Sequence, residues 1–384
     1  MSRSRRFWYE FFAGGGMARL GLGPAWKCVF ANDSCEKKAR AYRARFGSSS
    51  ELKVADVGQL TTKDLPGVPD LVWASFPCQD LSLAGNGAGL DGTRSGTFRP
   101  FWQLVRGLVR EGRAPKLVVL ENVSGVLTSH SGGDFSSIVH AFAESGYRVG
   151  ALTINASRFL PQSRPRVFIV GVHDHSSIPS RLISSVPSGP WHSKSLVKAH
   201  EQLPEALARS WIWWALPTPT ESVPTLASIL EDRPTGVTWH SETETQTLLR
   251  MMTATHRKKI ADAVRVGGRH VGTIYKRTRP NQSGVMVQRA EVRFDGISGC
   301  LRTPVGGSSR QTVIVVEKAH VRTRLLSPRE AARLMGVADN YPLPLGYNDA
   351  YHLFGDGVAV PVVSWLESHL LWPLAARKSF EQVA

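Results

Sequence analysis

Short apolar segments alternate with amphipathic segments through the first 175 residues of the chain. The apolar segments have the length of buried strands. We predict strands at residues 7–12, 26–31, 71–75, 116–120, 147–154 and 166–172. Helical periodicity covers residues 36–46 and 101–109. This alternation of strand and helix predicts an α/β fold with a doubly wound, mostly parallel sheet.

The alternation stops after about residue 175. Residues 176–190 are rich in serine and proline, which is typical of a linker. From there to about residue 317, tryptophan, threonine, arginine and glycine are frequent and no clear period is visible. We predict a first domain at residues 1–175, a second domain at 176–317, and a C-terminal segment at 318–384 that returns to the first domain.

Helical signals return in the C-terminal segment. Ser327-Pro328-Arg329-Glu330 is a capping box with proline at the first helical position, which is a strong start signal for a helix. We expect this helix to reach about Met335. A further helix is expected after Gly357 and through Trp365.

The composition narrows the class of protein. The chain has 384 residues and 42% hydrophobic residues, which suits one or two domains with a full core. Its apolar runs are much shorter than a membrane span, and no apolar signal region follows the basic N-terminus. The four cysteines, Cys28, Cys35, Cys78 and Cys300, include no CxxC pair, so neither a zinc site nor a disulfide framework is indicated. We expect a cytoplasmic protein without a metal.

Positive charge is concentrated in one stretch of the second domain. The formal net charge is +16, and residues 251–310 contain 12 Lys or Arg against three acids, a net of +9. A solvated basic face is the plain interpretation of such a run. Here glycines and β-branched residues interrupt the charges, which favours a folded surface that binds a polyanion.

Three weak signals for a nucleoside-containing cofactor follow one another in the predicted sheet. A glycine turn at residues 14–16 follows the first strand, where a ligand could approach the backbone. Asp33 follows the second strand and could hold ribose hydroxyls, although a helix cap is the simpler role for this residue alone. Asp56 could accept a hydrogen bond from an adenine amino group. These signals do not distinguish NAD from S-adenosylmethionine.

Two reactive side chains are expected at the carboxyl ends of strands, where α/β sheets place their sites. Phe76-Pro77-Cys78-Gln79 follows the strand at 71–75, and a cysteine thiolate is a strong nucleophile. Glu121 follows the strand at 116–120 in the same way. Adjacent strands lie about 4.8 Å apart, so a nucleobase placed between Cys78 and Glu121 could touch both. Taken singly, Cys78 could be a buried thiol and Glu121 a polar loop residue.

Two arginines begin the strand predicted at 166–172. Arg164 and Arg166 occupy alternate positions in Gln162-Ser163-Arg164-Pro165-Arg166. Alternate residues of a strand point to the same face. The pair could bind a phosphate or a base carbonyl, or could pair with acids.

Together these elements resemble the cytosine-C5 DNA methyltransferase family of bacteria and phages, over nearly the whole chain. The motifs that carry the resemblance keep the order of the family. They are Phe12–Gly16, Pro77-Cys78-Gln79, residues 94–98, Glu121-Asn122-Val123, residues 162–166, residues 324–336 and residues 355–360.

The resemblance implies a covalent mechanism on a cytosine of double-stranded DNA. Cys78 would attack C6 of the base, Glu121 would contact or protonate N3, and Arg166, helped by Arg164, would hold O2. C5 would then take a methyl group from S-adenosylmethionine. A stacked base is inaccessible to these groups, so the cytosine must be flipped out of the duplex.

The resemblance also implies a cofactor pocket and a DNA-binding domain. The implied cofactor residues are Phe12, Ala13, Gly14, Gly16, Asp33, Asp56, Val57, Pro77, Phe98, Asp356 and Val358. Residues 176–317 correspond to the target-recognition domain. Its basic stretch predicts DNA contacts at Lys276, Arg277, Arg279 and Arg302.

The chain departs from the family pattern at three places. Met17 follows Gly16, and Ser34-Cys35 stands where many relatives have a bulky residue that stacks on adenine. Asp356 stands where asparagine is common. These departures leave the residue that contacts adenine and the role of Asp356 open.

Three other functions compete with this hypothesis. An RNA cytosine-C5 methyltransferase would use the same catalytic residues, but the long basic second domain favours duplex DNA. A catalytically inactive DNA-binding relative would not need Cys78, Glu121 and Arg166 together. A nicotinamide-dependent oxidoreductase has no evident use for the Pro-Cys-Gln motif. We expect a monomer, associated with the nucleoid through DNA, whose site a restriction endonuclease could share without a stable complex.

Overall fold

A seven-stranded sheet lies at the centre of the first of two units into which the chain folds. The computed structural model describes residues 5–48, 50–77, 97–281, 283–302 and 310–376. The first unit comprises residues up to Ile154, Pro165–Thr218 and residues from Val360 onward. The second comprises Asn155–Arg164 and Pro219–Ala359. These limits differ from the boundaries that we predicted at residues 176 and 318, and the functional division of the chain stays a prediction.

The first unit has nine strands among its described residues: β1 Arg6–Phe11, β2 Trp26–Asp33, β3 Leu52–Val54, β4 Leu71–Ala74, β5 Leu117–Val123, β6 Tyr147–Asn155, β7 Pro165–His173, β8 Ile183–Ser184 and β9 Trp213–Trp214. Six of them match the predicted apolar segments, whereas the short strands β3, β8 and β9 were not predicted. The sheet order is β3-β2-β1-β4-β5-β7-β6. Pairings from β3 to β5 are parallel, and β7 is antiparallel to β5. The predicted doubly wound, mostly parallel sheet is confirmed.

Helices cover this sheet, which explains why its strands are continuously apolar. They are α1 Met17–Leu22, α2 Glu36–Phe46, α3 Phe98–Arg110, α4 Gly133–Glu144, α5 Lys194–Glu201, α6 Glu205–Ala208, α12 Val360–Leu366 and α13 Trp372–Ala375. Every residue of β4 is buried, and α3 buries Phe101, Val105 and Leu108 of its apolar face. The core of the unit therefore lies between the sheet and these helices.

Helix α12 packs on α1 of the same unit. A Cβ atom at Gly21 would lie 2.4 Å from Cβ of Val363. The Ser364 hydroxyl donates to the carbonyl oxygen of Gly21 at 3.0 Å. Only glycine permits so close a helix crossing at this position. The helix predicted after Gly357 is thus confirmed.

The second unit contains a four-stranded antiparallel sheet of order β11-β10-β12-β13. Its strands are β10 Arg269–Pro280, β11 Met286–Arg293, β12 Thr312–Glu317 and β13 His320–Leu325. Its helices are α7 Leu226–Ile229, α8 Glu242–Arg250, α9 Ala254–Val266, α10 Pro328–Arg333 and α11 Tyr347–Asp356. Ile260 and Ala263 of α9 share a small core with Ile274, Ala290 and Val292 of the sheet.

The capping box predicted at Ser327 is present. The Ser327 hydroxyl accepts from the backbone N–H of Glu330, whose carboxylate accepts from the N–H of Ser327 at 2.8 Å. Both N–H groups would otherwise be unpaired donors at the start of α10. Helix α11 was not predicted, because Gly355 and Gly357 favour a turn.

One part of the described chain resembles a membrane span by composition. Tyr347–Ala375 is 29 residues long and apolar enough to cross a membrane, but 61% of its most apolar window is buried within the protein. Helix α11 also ends at Asp356 before α12 begins at Val360. Burial of this kind is typical of core helices.

Candidate active site

The glycine turn after β1 has a left-handed backbone at several positions, as its glycines suggest. Phe12, Gly14 and Gly16 have φ values of 57°, 56° and 75°. A Cβ atom at Gly16 would lie 2.3 Å from the Phe46 ring, so both the left-handed backbone and the close contact require glycine. The turn ends where α1 begins at Met17.

Asp33 at the end of β2 holds this turn. Its Oδ2 accepts from the N–H of Gly14 at 2.8 Å, and its Oδ1 accepts from the N–H of Cys35 at 2.8 Å. Each carboxylate oxygen keeps a second lone pair for another donor. Apart from the chain neighbours of Gly14, no atom of the described residues lies within 4 Å of the position that a Cβ atom would take there. An open backbone cradle beside a carboxylate fits the ribose end of a nucleoside cofactor.

The remaining residues expected at the cofactor differ in exposure. Asp56 is exposed, and its Oδ1 accepts from the N–H of Gly58 at 2.8 Å. The side chains of Ala13, Val57 and Phe98 are buried. The Phe98 ring lies 5.5 Å from Phe76 and 5.7 Å from Trp102 between ring centroids, inside the core. A cofactor role for these buried side chains stays a prediction.

Glu121 and Arg166 form an ion pair at the end of the sheet. Arg166 Nε lies 3.1 Å from Glu121 Oε1, and their side chains are 14% and 7% exposed. The pair forms because β5 and β7 are antiparallel neighbours, with Val123 opposite Arg166. A carboxylate and a guanidinium that are largely buried side by side can hold a polar heterocycle through one acceptor and several donors.

Asn122 connects this pair to the segment that precedes the predicted nucleophile. Its Nδ2 donates to the carbonyl oxygen of Phe76 at 3.2 Å. The structure thus brings the ends of β4 and β5 together, as we predicted from the positions of the strand ends. Pro77 is described, whereas Cys78 lies outside the described residues.

The other three cysteines are free thiols. Cys28 is buried, and burial raises the pKa of its thiol far above the ordinary value. A thiol in that environment stays protonated and is a poor nucleophile. Cys35 and Cys300 are partly exposed.

Arg164 contacts different groups from those of Arg166. It precedes β7, which begins at Pro165, and it is 2% exposed. Its guanidinium donates to the carbonyl oxygens of Leu301, Gly355 and Gly357 in the second unit. Among the described residues these contacts differ from the Glu121 ion pair of Arg166, and the expected shared face of the two arginines stays a prediction. Whether Arg164 helps Arg166 stays a prediction.

Three of the four basic residues expected to contact DNA lie on strand β10, on its two faces. Arg277 and Arg279 share one face and both approach Glu291, at 3.5 and 3.3 Å. Lys276 alternates to the face that carries buried Ile274. Arg302 is exposed, next to residues 303–309 that the structure does not describe.

Comparison with known proteins identifies the family. The model of the C-5 cytosine-specific DNA methylase family matches residues 8–371. The chain belongs to this family. The predicted class of enzyme, a DNA cytosine-C5 methyltransferase, is thereby confirmed.

Relatives within the family are aligned over most of their length. The type II methyltransferase M1.ScrFI of Lactococcus lactis subsp. cremoris is 27% identical over 374 residues, which cover 96% of this chain and 79% of that protein. The type II methyltransferase M.HpaII of Haemophilus parainfluenzae is 26% identical over 381 residues, with 94% and 88% covered.

Solved structures share the fold at low identity. The Dnmt2 methyltransferase of S. pombe has a TM-score of 0.56 and 16% identity, covering 96% of this chain and 98% of that chain. The methyltransferase EhMeth of Entamoeba histolytica has a TM-score of 0.59 and 14% identity, covering 94% and 96%. These likenesses support the methyltransferase fold and no finer property.

Glu10 is a buried acid beside the glycine turn that the sequence did not single out. It lies on β1 and is 1% exposed. Burial raises the pKa of its carboxyl from 4.5 to about 8, opposed by the charge of Arg19 and reinforced by that of Asp33. A strand that is otherwise apolar gave no signal that this glutamate points inward.

We expect wild type to lose stability relative to Glu10→Gln as pH rises. The folded state holds the Glu10 proton more tightly than the unfolded chain does. The stabilisation of the fold by protonated Glu10 is complete below about pH 4.5 and is lost as pH rises through about 8. One pKa unit corresponds to about 1.36 kcal/mol, so the full effect is a few kcal/mol at most.

Urea unfolding of both proteins at several pH values between 5 and roughly 8.5 tests this expectation. The exposed substitution Glu201→Gln serves as the control and should show no such trend. A stability difference between wild type and Glu10→Gln that is constant with pH would contradict a buried, protonated Glu10.

Proposed function

We propose that this enzyme transfers a methyl group from S-adenosylmethionine to C5 of a flipped cytosine in a specific double-stranded DNA sequence. The observation that carries the proposal is the largely buried Glu121–Arg166 pair at the strand ends of a chain matched to the family over residues 8–371. The open turn at Gly14 beside Asp33 supports a nucleoside-bearing methyl donor.

In this proposal the cytosine ring is activated by a covalent bond to the enzyme. The Cys78 thiolate adds to C6, and the electrons of the C5–C6 double bond make C5 nucleophilic. The cofactor supplies an electrophilic methyl group on a sulfonium centre. As C5 takes that methyl group, its bond to the sulfonium sulfur would break and leave S-adenosylhomocysteine. A base would then remove the C5 proton, and the electrons of that C–H bond would restore the C5–C6 double bond as the S–C6 bond breaks and releases the Cys78 thiolate.

The ion pair limits the charge that develops on the ring. The Glu121 carboxyl holds N3 and shares a proton with it, so that the enamine is not a ring anion. The Arg166 guanidinium donates to O2, where charge also gathers. Both groups are largely buried, and in a site that excludes water such donors are preorganised and strong.

Three arginines of the β10–β11 hairpin, here called the arginine face, are proposed to contact DNA phosphates. They are Arg277, Arg279 and Arg289. Arg277 and Arg289 stand directly opposite each other, and like charges in that position destabilise a hairpin. Glu291 is shared by Arg277 and Arg279, so one carboxylate serves two of these three cations.

A cavity beside this face has room for a phosphate group. Arg279, Arg289 and Glu291 line it together with His256 and Asn281, and its volume is about 360 Å³. The Arg277 guanidinium is held 4.7 Å from the Tyr275 ring centroid, which orients it on the same face. A polyanion would relieve the repulsion between the arginines.

Replacing all three arginines of this face with alanine should flatten the salt dependence of DNA binding. Each lost phosphate contact removes about 0.9 from the slope of log K against log salt, so the triple variant should lose about 2 to 3. Lys318→Ala removes one exposed positive charge between β12 and β13, outside the predicted DNA contacts, and is the control. Titrations of a fluorescent duplex at several salt concentrations give the slopes. An unchanged slope in the triple variant, or an equal loss in Lys318→Ala, would contradict the arginine face.

Transfer of labelled methyl groups tests the enzymatic proposal. Purified enzyme, S-adenosylmethionine with a tritiated methyl group, and either duplex DNA or RNA are incubated together. We expect label in DNA, and 5-methylcytosine as the modified nucleoside after digestion. Label in RNA alone would favour the RNA methyltransferase instead.

The type II names of the relatives support a place in restriction–modification. In that setting the methylated sequence would be one that a restriction endonuclease cuts when it is unmethylated. The two enzymes would share a DNA site and need no stable complex with each other.

A further inference from the structure

Gln162 and Arg164 are buried polar residues that bind three separate segments of the second unit. Gln162 is 0% exposed and Arg164 is 2% exposed. Gln162 Nε2 donates to the carbonyl oxygen of Leu334 at 2.6 Å. Arg164 donates to the carbonyl oxygens of Leu301 and of Gly355 and Gly357 at the C-terminal end of α11. Side chains this deep in a fold usually have all their hydrogen bonds committed to one arrangement.

At one end of this arrangement Arg164 caps helix α11. Its Nη2 donates to Gly355 O at 2.9 Å and to Gly357 O at 2.6 Å. The last carbonyl groups of a helix lack intrahelical partners and carry partial negative charge. The planar, rigid guanidinium of Arg164 donates hydrogen bonds to two of these carbonyl groups at once. The position of the turn at residues 355–358 therefore depends on Arg164.

At the other end Gln162 and Arg164 both bind the backbone of Leu301. Leu301 N–H donates to Gln162 Oε1 at 3.0 Å, and Leu301 O accepts from Arg164 Nη1 at 3.0 Å. Leu301 is buried, and the next residue, Arg302, is exposed. Leu301 is thus fixed on both sides of its backbone, immediately before a residue expected to contact DNA.

We propose that Gln162 and Arg164 are positioning residues that hold the turn at residues 355–358 in register with Leu301. Arg164 then affects methyl transfer through this turn and does not touch the cytosine. The proposal rests on the proposed function and on the family resemblance, which implies that Asp356 and Val358 of the turn contact the cofactor. It implies that cofactor binding and DNA binding influence each other through Arg164, and such coupling is reciprocal.

Three variants separate positioning from base contact. Arg164→Met keeps the volume and leaves three carbonyl groups without their donor. Arg164→Lys keeps the charge, but an ammonium group lacks the planar fork. Gln162→Leu removes the contacts to Leu301 and Leu334 and leaves Arg164 in place. Arg166→Lys is the matched control, because its partner is Glu121 in the first unit.

Two readouts are measured without DNA. Calorimetry gives the dissociation constant of S-adenosylhomocysteine, and hydrogen–deuterium exchange gives the protection of peptides that contain Leu301 and residues 355–358. In Arg164→Met we expect affinity to fall roughly ten- to a hundredfold, the effect of losing charge-assisted hydrogen bonds. Both peptides should exchange faster together. The cofactor affinity and exchange rates of Arg164→Lys should lie between those of wild type and Arg164→Met. Gln162→Leu should increase exchange in the Leu301 peptide more than in the peptide of residues 355–358. Arg166→Lys should match wild type in both readouts.

Other results would overturn the proposal. Unchanged affinity and unchanged exchange in Arg164→Met, with slow methylation, would place Arg164 at the base. Loss of protection throughout the first-unit sheet in both Arg164→Lys and Gln162→Leu would mean that these residues support the fold as a whole. If wild type binds no S-adenosylhomocysteine, the proposed function fails, while the exchange data still decide whether the two segments move together.

Discussion

Cys78→Ser should reduce methyl transfer below detection while leaving cofactor binding and the fold intact. A serine hydroxyl is scarcely ionised near neutral pH, whereas a cysteine thiol reaches the thiolate readily. Without a nucleophile at C6, C5 of cytosine stays unreactive. The measurement is single-turnover methylation, beside a thermal melt and a titration with S-adenosylhomocysteine.

A trapped adduct provides the control for this result. Duplex DNA with 5-fluorocytosine has no removable C5 proton, so the covalent intermediate cannot resolve. Mass mapping should find the adduct on the peptide that contains Cys78 and not on those of Cys28, Cys35 or Cys300. A Cys78→Ser enzyme that methylates DNA near the wild-type rate would exclude the covalent mechanism.

Loss of the Glu121–Arg166 pair should cause the second-largest effect. Arg166→Ala removes a donor at the developing charge, which costs roughly 10² to 10³ in rate for one such group. Glu121→Gln keeps the shape of the side chain but loses the group that shares a proton with N3. Because the two side chains lie 3.1 Å apart, their effects should be far from additive in the double variant.

Stability must be measured with these rates. Removing one partner of a buried ion pair leaves the other charge uncompensated, at a cost of about 3 to 5 kcal/mol. Glu121→Gln avoids part of that cost and is therefore the cleaner variant. Wild-type single-turnover rates in both Glu121→Gln and Arg166→Ala, at saturating DNA and cofactor, would place the cytosine elsewhere.

The sequence predicted the parts of this enzyme that depend on local pattern. Helix α2 occupies the residues that its periodicity covers, Glu36–Phe46. The segments after β4 and β5 were predicted to meet, and Asn122 binds Phe76 there. In a parallel sheet, the end of a strand fixes the edge to which the following residues belong.

Other features depend on partners far along the chain. Arg164 and Arg166 were expected on one face because of their spacing, but β7 begins only at Pro165. Arg164 instead donates to carbonyl oxygens 137 to 193 residues away. No local pattern contains that information.

Two further features were missed for related reasons. Glu10 resembles an ordinary polar position in a strand, but in the fold it is buried and interacts with Arg19, Asp33 and Tyr42 from later segments of the chain. Lys276 and Arg277 lie on opposite faces of β10 because side chains alternate along a strand. This placement was not predicted, because the sequence shows no clear period there and gave no sign of the strand.

Bisulfite sequencing tests most directly whether this enzyme methylates cytosine C5 in DNA at a specific sequence, because 5-methylcytosine resists conversion. DNA from cells that express the wild-type chain is compared with DNA from cells that express Cys78→Ser. We expect unconverted cytosines at one short recurring sequence in the first sample and at none of its copies in the second. Complete conversion in the wild-type sample, from cells in which the protein is folded and abundant, would contradict the proposed function.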